Sequence, residues 1–210
     1  MFLHRLYLNL RCKDARRDIA DPYELHSTLC RAFSVPNQKC PEGEFLWRLE
    51  PESDTSGNPC VLIQSHSKPD WPHIGIQDWL AREPDKAIDL AARLKLESLD
   101  VGKRFRYRLR ANPCVTRGGK RIGLLRLEEQ VNWLYRKGEL HGFTLATVHV
   151  SQARMLRGKQ HNENPIRVFS VLFDGILATT APDKFSEVVA SGIGHGKAVG
   201  LGLFSVVPLA

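Results

Sequence analysis

The chain has 210 residues, 42% hydrophobic and 25% charged, which is enough for one large domain or two small ones with a packed core and excludes a disordered polymer. Thirty Lys and Arg against 23 Asp and Glu give +7 and a pI near 9.3, a basic excess that favours polyanionic partners such as nucleic acid or an anionic surface. No apolar run reaches membrane-span length, the N-terminus lacks a signal-peptide core, and the five scattered cysteines (Cys12, Cys30, Cys40, Cys60, Cys114) have no C-x-x-C spacing, so the expectation is a cytoplasmic protein with reduced thiols, no membrane and no metal.

In chain order, Phe2 to Leu10 reads as a strand, followed by a basic linker with Arg11, Lys13, Arg16 and Arg17. Asp21-Pro22-Tyr23-Glu24 opens a helix: Asp21 caps, Pro22 suits the first helical position, and Glu24 stands three residues on, as in a capping box. Leu25, Leu29 and Phe33 form its buried stripe, and Pro36 ends it. Strands follow at Phe45–Leu49 and Cys60–Gln64 around a polar turn, then one or two short helices between Trp71 and Leu96, and a strand at Lys103–Arg110. Beyond it come a helix from Leu127 to Lys137 ending near Gly138 and a strand from Phe143 to Val150. A polar segment, 151–165, leads to a strand from Ile166 to Thr179, a helix at Pro182–Ala190 and a closing strand at Leu201–Val207. The first half reads β-α-β-β-α-β and the second varies on that order, an α+β chain of two tandem ferredoxin-like domains, residues 1–112 and 113–210.

Four groups of residues could carry chemistry. Tyr23 and His26 are three apart on a helix, hence neighbours, and lie off the apolar stripe in the first two turns, where free N–H groups and the helix dipole attract anions. An imidazole there is biased toward its neutral form, as a general base requires. Alone, the pair reads first as two surface residues of an amphipathic helix. On the strand 103–110, Arg104, Arg106, Arg108 and Arg110 share one face, Phe105, Tyr107 and Leu109 the other; the arginines need phosphates or carboxylates to relieve their repulsion. The segment 151–165 carries Arg154, Arg157, Lys159 and His161, and suits either phosphate contacts to an RNA stem or plain solvation. Gly192-Ile193-Gly194-His195-Gly196-Lys197 through Gly202 is neither a Walker loop nor a dinucleotide fingerprint, but lets a backbone approach RNA closely, with His195 and Lys197 as its polar contacts.

Together these segments resemble the CasE family, the repeat-processing endoribonuclease of the type I-E CRISPR Cascade complex, within the RAMP superfamily. The resemblance rests on Asp21-Pro22-Tyr23-Glu24-Leu25-His26, Phe45-Leu46-Trp47-Arg48-Leu49-Glu50, Arg108-Leu109-Arg110-Ala111-Asn112-Pro113, the glycine-rich signature 192–203 and the ending Ser205-Val206-Val207-Pro208-Leu209. It implies two tandem ferredoxin-like (RAMP/RRM-like) domains with a cleft between their sheets. The substrate it implies is the repeat hairpin of precursor CRISPR RNA, cut without metal or other cofactor at the 3′ base of the stem to leave a 2′,3′-cyclic phosphate and a 5′-hydroxyl. It also implies retention of the product beside other Cascade subunits. His26 and Tyr23 correspond to the family's catalytic pair, and Arg31 to a basic group that would stabilise the pentavalent phosphate. Residues 151–165 correspond to a basic hairpin facing the RNA stem. The rival readings are a non-catalytic RNA-binding scaffold on the same fold and a regulatory ferredoxin-like domain whose glycine loop takes a nucleotide.

Overall fold

The computed structural model describes residues 1–35, 38–159 and 165–209, and the chain divides into two compact units. The first comprises Met1–Arg93 with Arg157–Arg167 and Lys197–Gly200; the second comprises Leu94–Leu156, Val168–Gly196 and Leu201–Ala210.

The first unit opens on strand β1 (Phe2–Tyr7), which turns Leu6 into the core and Arg5 to solvent. The expected basic linker is instead a helix, α1 (Lys13–Ala20). Its buried face consists of Ala15 and Asp18, and Asp14 pairs with Arg17 at 2.9 Å on the outside, so it has no long apolar stripe to reveal it. Asp18 is fully buried and accepts from the indole Nε1–H of Trp79 at 2.9 Å and from Arg17 Nη2 at 2.8 Å.

Asp21 is the single residue between α1 and α2 (Pro22–Arg31). Its backbone N–H donates to Arg17 O, closing α1, and its side chain accepts from Tyr23 N at 2.9 Å, opening α2. Glu24 does not complete a capping box. The N–H it would serve is already taken, and Glu24 lies 3.4 Å from Arg17 Nε. Leu25 and Leu29 are buried as the apolar spacing requires.

Strands β2 (Phe45–Ser53) and β3 (Pro59–Ser65) follow, then a two-residue strand β4 (Ile88–Asp89) and helix α3 (Leu90–Leu94). The sheet order is β2-β3-β1-β4, antiparallel throughout, with Trp47 opposite Ile63 and Leu6 opposite Val61. Leu6, Leu8, Leu25, Leu29, Trp47 and Trp79 form the core.

Strand β5 (Arg104–Ala111), expected to close the first domain, begins the second unit instead. It pairs with β9 (Pro165–Thr179) on one side and β10 (Phe204–Pro208) on the other, in a sheet ordered β10-β5-β9-β8, where β8 is Phe143–Lys159. The strand that completes the first sheet is β4, whose two exposed residues carry no alternation to read. The domain boundary at 112 therefore falls after the first strand of the second fold. From β5 onward, with α4 (Leu127–His141) and α5 (Pro182–Ser191), the order is β-α-β-β-α-β, and both sheets have the ferredoxin-like strand order. A hairpin, β6 (Cys114–Arg117) and β7 (Lys120–Gly123), is inserted before α4.

Helix α4 runs past Gly138 and stops at Gly142, which has φ +74°. A Cβ on Gly138 would lie 2.6 Å from Phe143 O, so that glycine serves packing rather than termination. The segment 151–159, expected as a loop, continues β8 as an extended strand. Its exposed polar residues hid it, because strand periodicity shows only where one face is buried.

Candidate active site

His26 is half-buried on α2, its ring 5.2 Å from that of Phe45 and its Nε2 3.6 Å from Cys30 Sγ. Its Nδ1 is shielded from solvent and has no hydrogen-bond partner among the described residues. Burial lowers its pKa below the ordinary 6.5, so the imidazole is neutral at pH 7. The direction matches the expectation from the helix terminus; the cause is desolvation. The Cys30 thiol beside it is pushed up to about 12, chiefly by burial, and stays protonated.

His26 and Cys30 open onto a pocket of about 280 Å³ whose other walls include Cys40, Glu42, Glu44 and Lys197. Glu44 is engaged, accepting from Ser67 N at 2.7 Å and Ser67 Oγ at 2.6 Å. Lys197 begins a short 3-10 turn, Lys197–Val199, that packs against α2 and β2 with Val199 buried. Gly200 ends the turn at φ +76°, and a Cβ there would lie 2.7 Å from the Trp47 ring. Backbone handedness and close approach both demand glycine. The Lys197 side chain is exposed.

The structure thus brings His26 and Lys197 to one pocket. Tyr23 is half-buried in the first turn of α2 and is not part of this pocket's lining. Arg31 is exposed on α2 and directs Nη1 to Ile74 O at 3.4 Å, also away from the lining.

In the second unit, Arg104 and Arg106 are exposed on β5, with no ion-pair partner among the described residues. Arg108 donates to Asp174 Oδ1 at 2.7 Å across the ladder, the intramolecular carboxylate that the arginine row called for. Arg110 is 2% exposed and donates to Gln152 Oε1 at 2.5 Å, so it is a buried structural group rather than a surface contact. Arg154 and Arg157 are exposed on β8, and His195 is exposed on its glycine-rich loop. The side chain of Lys159 and all of His161 lie outside the described residues.

Sequence reasoning missed Cys30, which the i,i+4 spacing on α2 does place beside His26, and Cys40, Glu42 and Glu44, which no local spacing announces. It also passed over the β6–β7 hairpin, whose exposed Arg117, Lys120 and Arg121 flank a Gly118-Gly119 turn, a two-glycine signature that does mark a hairpin. A larger hollow of about 570 Å³ along the Trp71 to Pro84 segment contains none of the predicted residues. Among the described residues no group of three or more His, Cys, Asp or Glu is placed to hold a metal ion, and no helix is long and apolar enough to cross a membrane.

The chain is 38% identical over 221 residues to the CRISPR-associated endoribonuclease Cse3 of Thermus thermophilus, a match spanning 99% of this chain and all of that relative. It is 28% identical to the CRISPR system Cascade subunit CasE of Escherichia coli, over 93% of this chain and 96% of that one. A solved structure of Thermus thermophilus Cse3, bound to an RNA representing a pre-cleavage complex, superposes with a TM-score of 0.83 at 36% identity, covering 99% of this chain and 98% of that one. The model of the family described as CRISPR associated protein matches residues 1–208, and by that match and the full-length likeness to Cse3 this chain belongs to that family.

Proposed function

We propose that this chain is an endoribonuclease that cuts precursor CRISPR RNA at the 3′ base of the repeat hairpin and stays with its product as a Cascade subunit in the cytoplasm. The observation that carries the reading is the neutral, half-buried His26 at the wall of a pocket that also presents a cation. Its full-length likeness to an endoribonuclease supports the same conclusion.

The reaction is an in-line transesterification. The 2′-hydroxyl upstream of the cut loses its proton, O2′ bonds to phosphorus, the P–O5′ bond breaks, and O5′ gains a proton. The products are a 2′,3′-cyclic phosphate and a 5′-hydroxyl. His26 and Tyr23 serve these two transfers, one as base and one as acid. Proton transfer by side chains suffices for this chemistry, so no metal is required. Arg104, Arg106, Arg154, Arg157, Lys159 and His195 supply phosphate contacts that hold the stem.

The test is incubation with the cognate repeat hairpin in EDTA. Cleavage to a cyclic phosphate is expected, and it stops when the single 2′-hydroxyl upstream of the cut is replaced by hydrogen. His26→Ala slows the cut by at least about 100-fold while the hairpin still binds. Tight binding with no cut in the cognate repeat would make the chain a non-catalytic scaffold.

A further inference from the structure

We propose that Gly158 is a positioning residue for the cut: bare of a side chain, it lets the basic end of β8 rest against the Asp21 carboxylate, the group that caps α2 just ahead of Tyr23 and His26. The proposal rests on the nuclease reading and adds a link between the strand that holds the RNA stem and the helix that acts on its phosphate.

Gly158 stands within β8, where a glycine weakens the strand and marks the close approach of another group. Its φ lies outside the left-handed region, so backbone handedness does not demand glycine there. Space does. A Cβ on Gly158 would lie 2.6 Å from Asp21 Oδ1, 3.4 Å from its Cγ and 3.7 Å from its Oδ2. Both residues belong to the first unit, which takes in Arg157–Arg167, whereas β8 up to Leu156 belongs to the second.

The oxygen that Gly158 faces is the one that accepts from Tyr23 N at 2.9 Å and so fixes the start of α2. Tyr23 and His26 stand in the first two turns of that helix. On the other side, Gly158 follows Arg157, which is exposed and holds a phosphate of the stem in the function proposed above. A stem that fixes Arg157 therefore fixes the strand at Gly158, and through the carboxylate it fixes the cap. A methyl group on Gly158 must drive Oδ1 away by about 0.8 Å to reach ordinary 3.4 Å contact. Misplacing a reacting group by about 1 Å costs about 100-fold in rate; the share passed through the cap to Tyr23 and His26 is smaller, about tenfold.

The experiment is single-turnover cleavage of the cognate repeat hairpin at saturating protein, with binding of the 2′-deoxy hairpin and urea unfolding, for wild type, Gly158→Ala, Asp21→Ser and the double variant. Serine keeps a capping oxygen and is shorter, ending near the position of Asp21 Cγ, 3.4 Å from the added methyl group. Gly158→Ala is expected to cut about tenfold more slowly, with its Kd within about threefold of wild type. Asp21→Ser is expected to cut within about threefold of the wild-type rate, and the double variant at the rate of Asp21→Ser alone. Damage done by the alanine elsewhere on the strand would not be relieved by a change at Asp21. A Gly158→Ala protein that cuts at the wild-type rate, loses only affinity, or is as slow beside Asp21→Ser as without it overturns the link and leaves the nuclease reading standing. A wild-type chain that cuts nothing overturns both. If Gly158→Ala alone does not fold, a double variant that folds and cuts near the Asp21→Ser rate supports the contact, and one that stays unfolded overturns it.

Discussion

Replacing Gly200 by alanine tests the link between the core and the site. The residue has φ +76°, where a Cβ costs roughly 1–2 kcal/mol. The new methyl carbon would lie 2.7, 2.8 and 3.0 Å from Cζ3, Cη2 and Cε3 of Trp47, a ring only 2% exposed. Forcing a methyl group into such packing costs about 1–3 kcal/mol. The whole penalty is about 2–5 kcal/mol, which at a urea dependence of about 2 kcal/mol/M moves the unfolding midpoint down by roughly 1–2.5 M. The two contributions separate in a double-mutant cycle. With Trp47→Phe the clash is relieved, and Gly200→Ala there should cost only the backbone share. The reasoning fails if Gly200→Ala lies within about 0.5 kcal/mol of wild type, the range of an ordinary surface change. The packing account fails if the penalty is the same in both backgrounds.

Asp18→Ala leaves the buried Trp79 Nε1–H without its acceptor and should cost about 1–3 kcal/mol in urea unfolding, with Asp18→Asn milder because it keeps an acceptor oxygen. Burial lowers the pKa of His4 and His26, so below about pH 6.5 the unfolded chain binds protons that the folded chain refuses. Stability should therefore be full above that pH and fall as pH drops from 6.5 toward the lower folded values. His4→Gln should flatten this slope in urea midpoints measured from pH 7.5 to 5.5, and an unaltered slope would contradict it. Arg104→Ala and Arg106→Ala should each reduce the salt dependence of hairpin affinity by about one counterion, read from log Kd against log salt. Arg108→Ala should instead weaken the sheet, because its guanidinium is tied to Asp174.

Much of this architecture was legible where local rules act on strong patterns. The Asp21-Pro22 start of α2 and its Leu25/Leu29 stripe, the alternation of β5, and the order of elements after residue 104 all follow from period and capping. What was hidden lacked an apolar signal. The two-residue β4 has no period, α1 buries an alanine and an aspartate, and residues 151–159 extend a strand with mostly exposed side chains. Losing β4 made β5 look like the end of one fold when it begins the next. At the site, the pairing of Tyr23 with His26 came from helix geometry, but helix geometry does not say which neighbours share a cavity. Lys197 comes from a distant part of the chain, and only the packing of its turn on α2 and β2 brings it to His26.

That separation has a consequence for how the protein is made. Synthesis proceeds at about 5–20 residues per second, so roughly ten to thirty seconds pass between the emergence of His26 and that of Lys197. During that interval a ribosome-bound chain carries the imidazole without the wall that completes its pocket. The same late stretch delivers β10, without which β5 lacks one of its two partners. A chain that stops short of Lys197 therefore lacks both the completed pocket wall and one partner of β5.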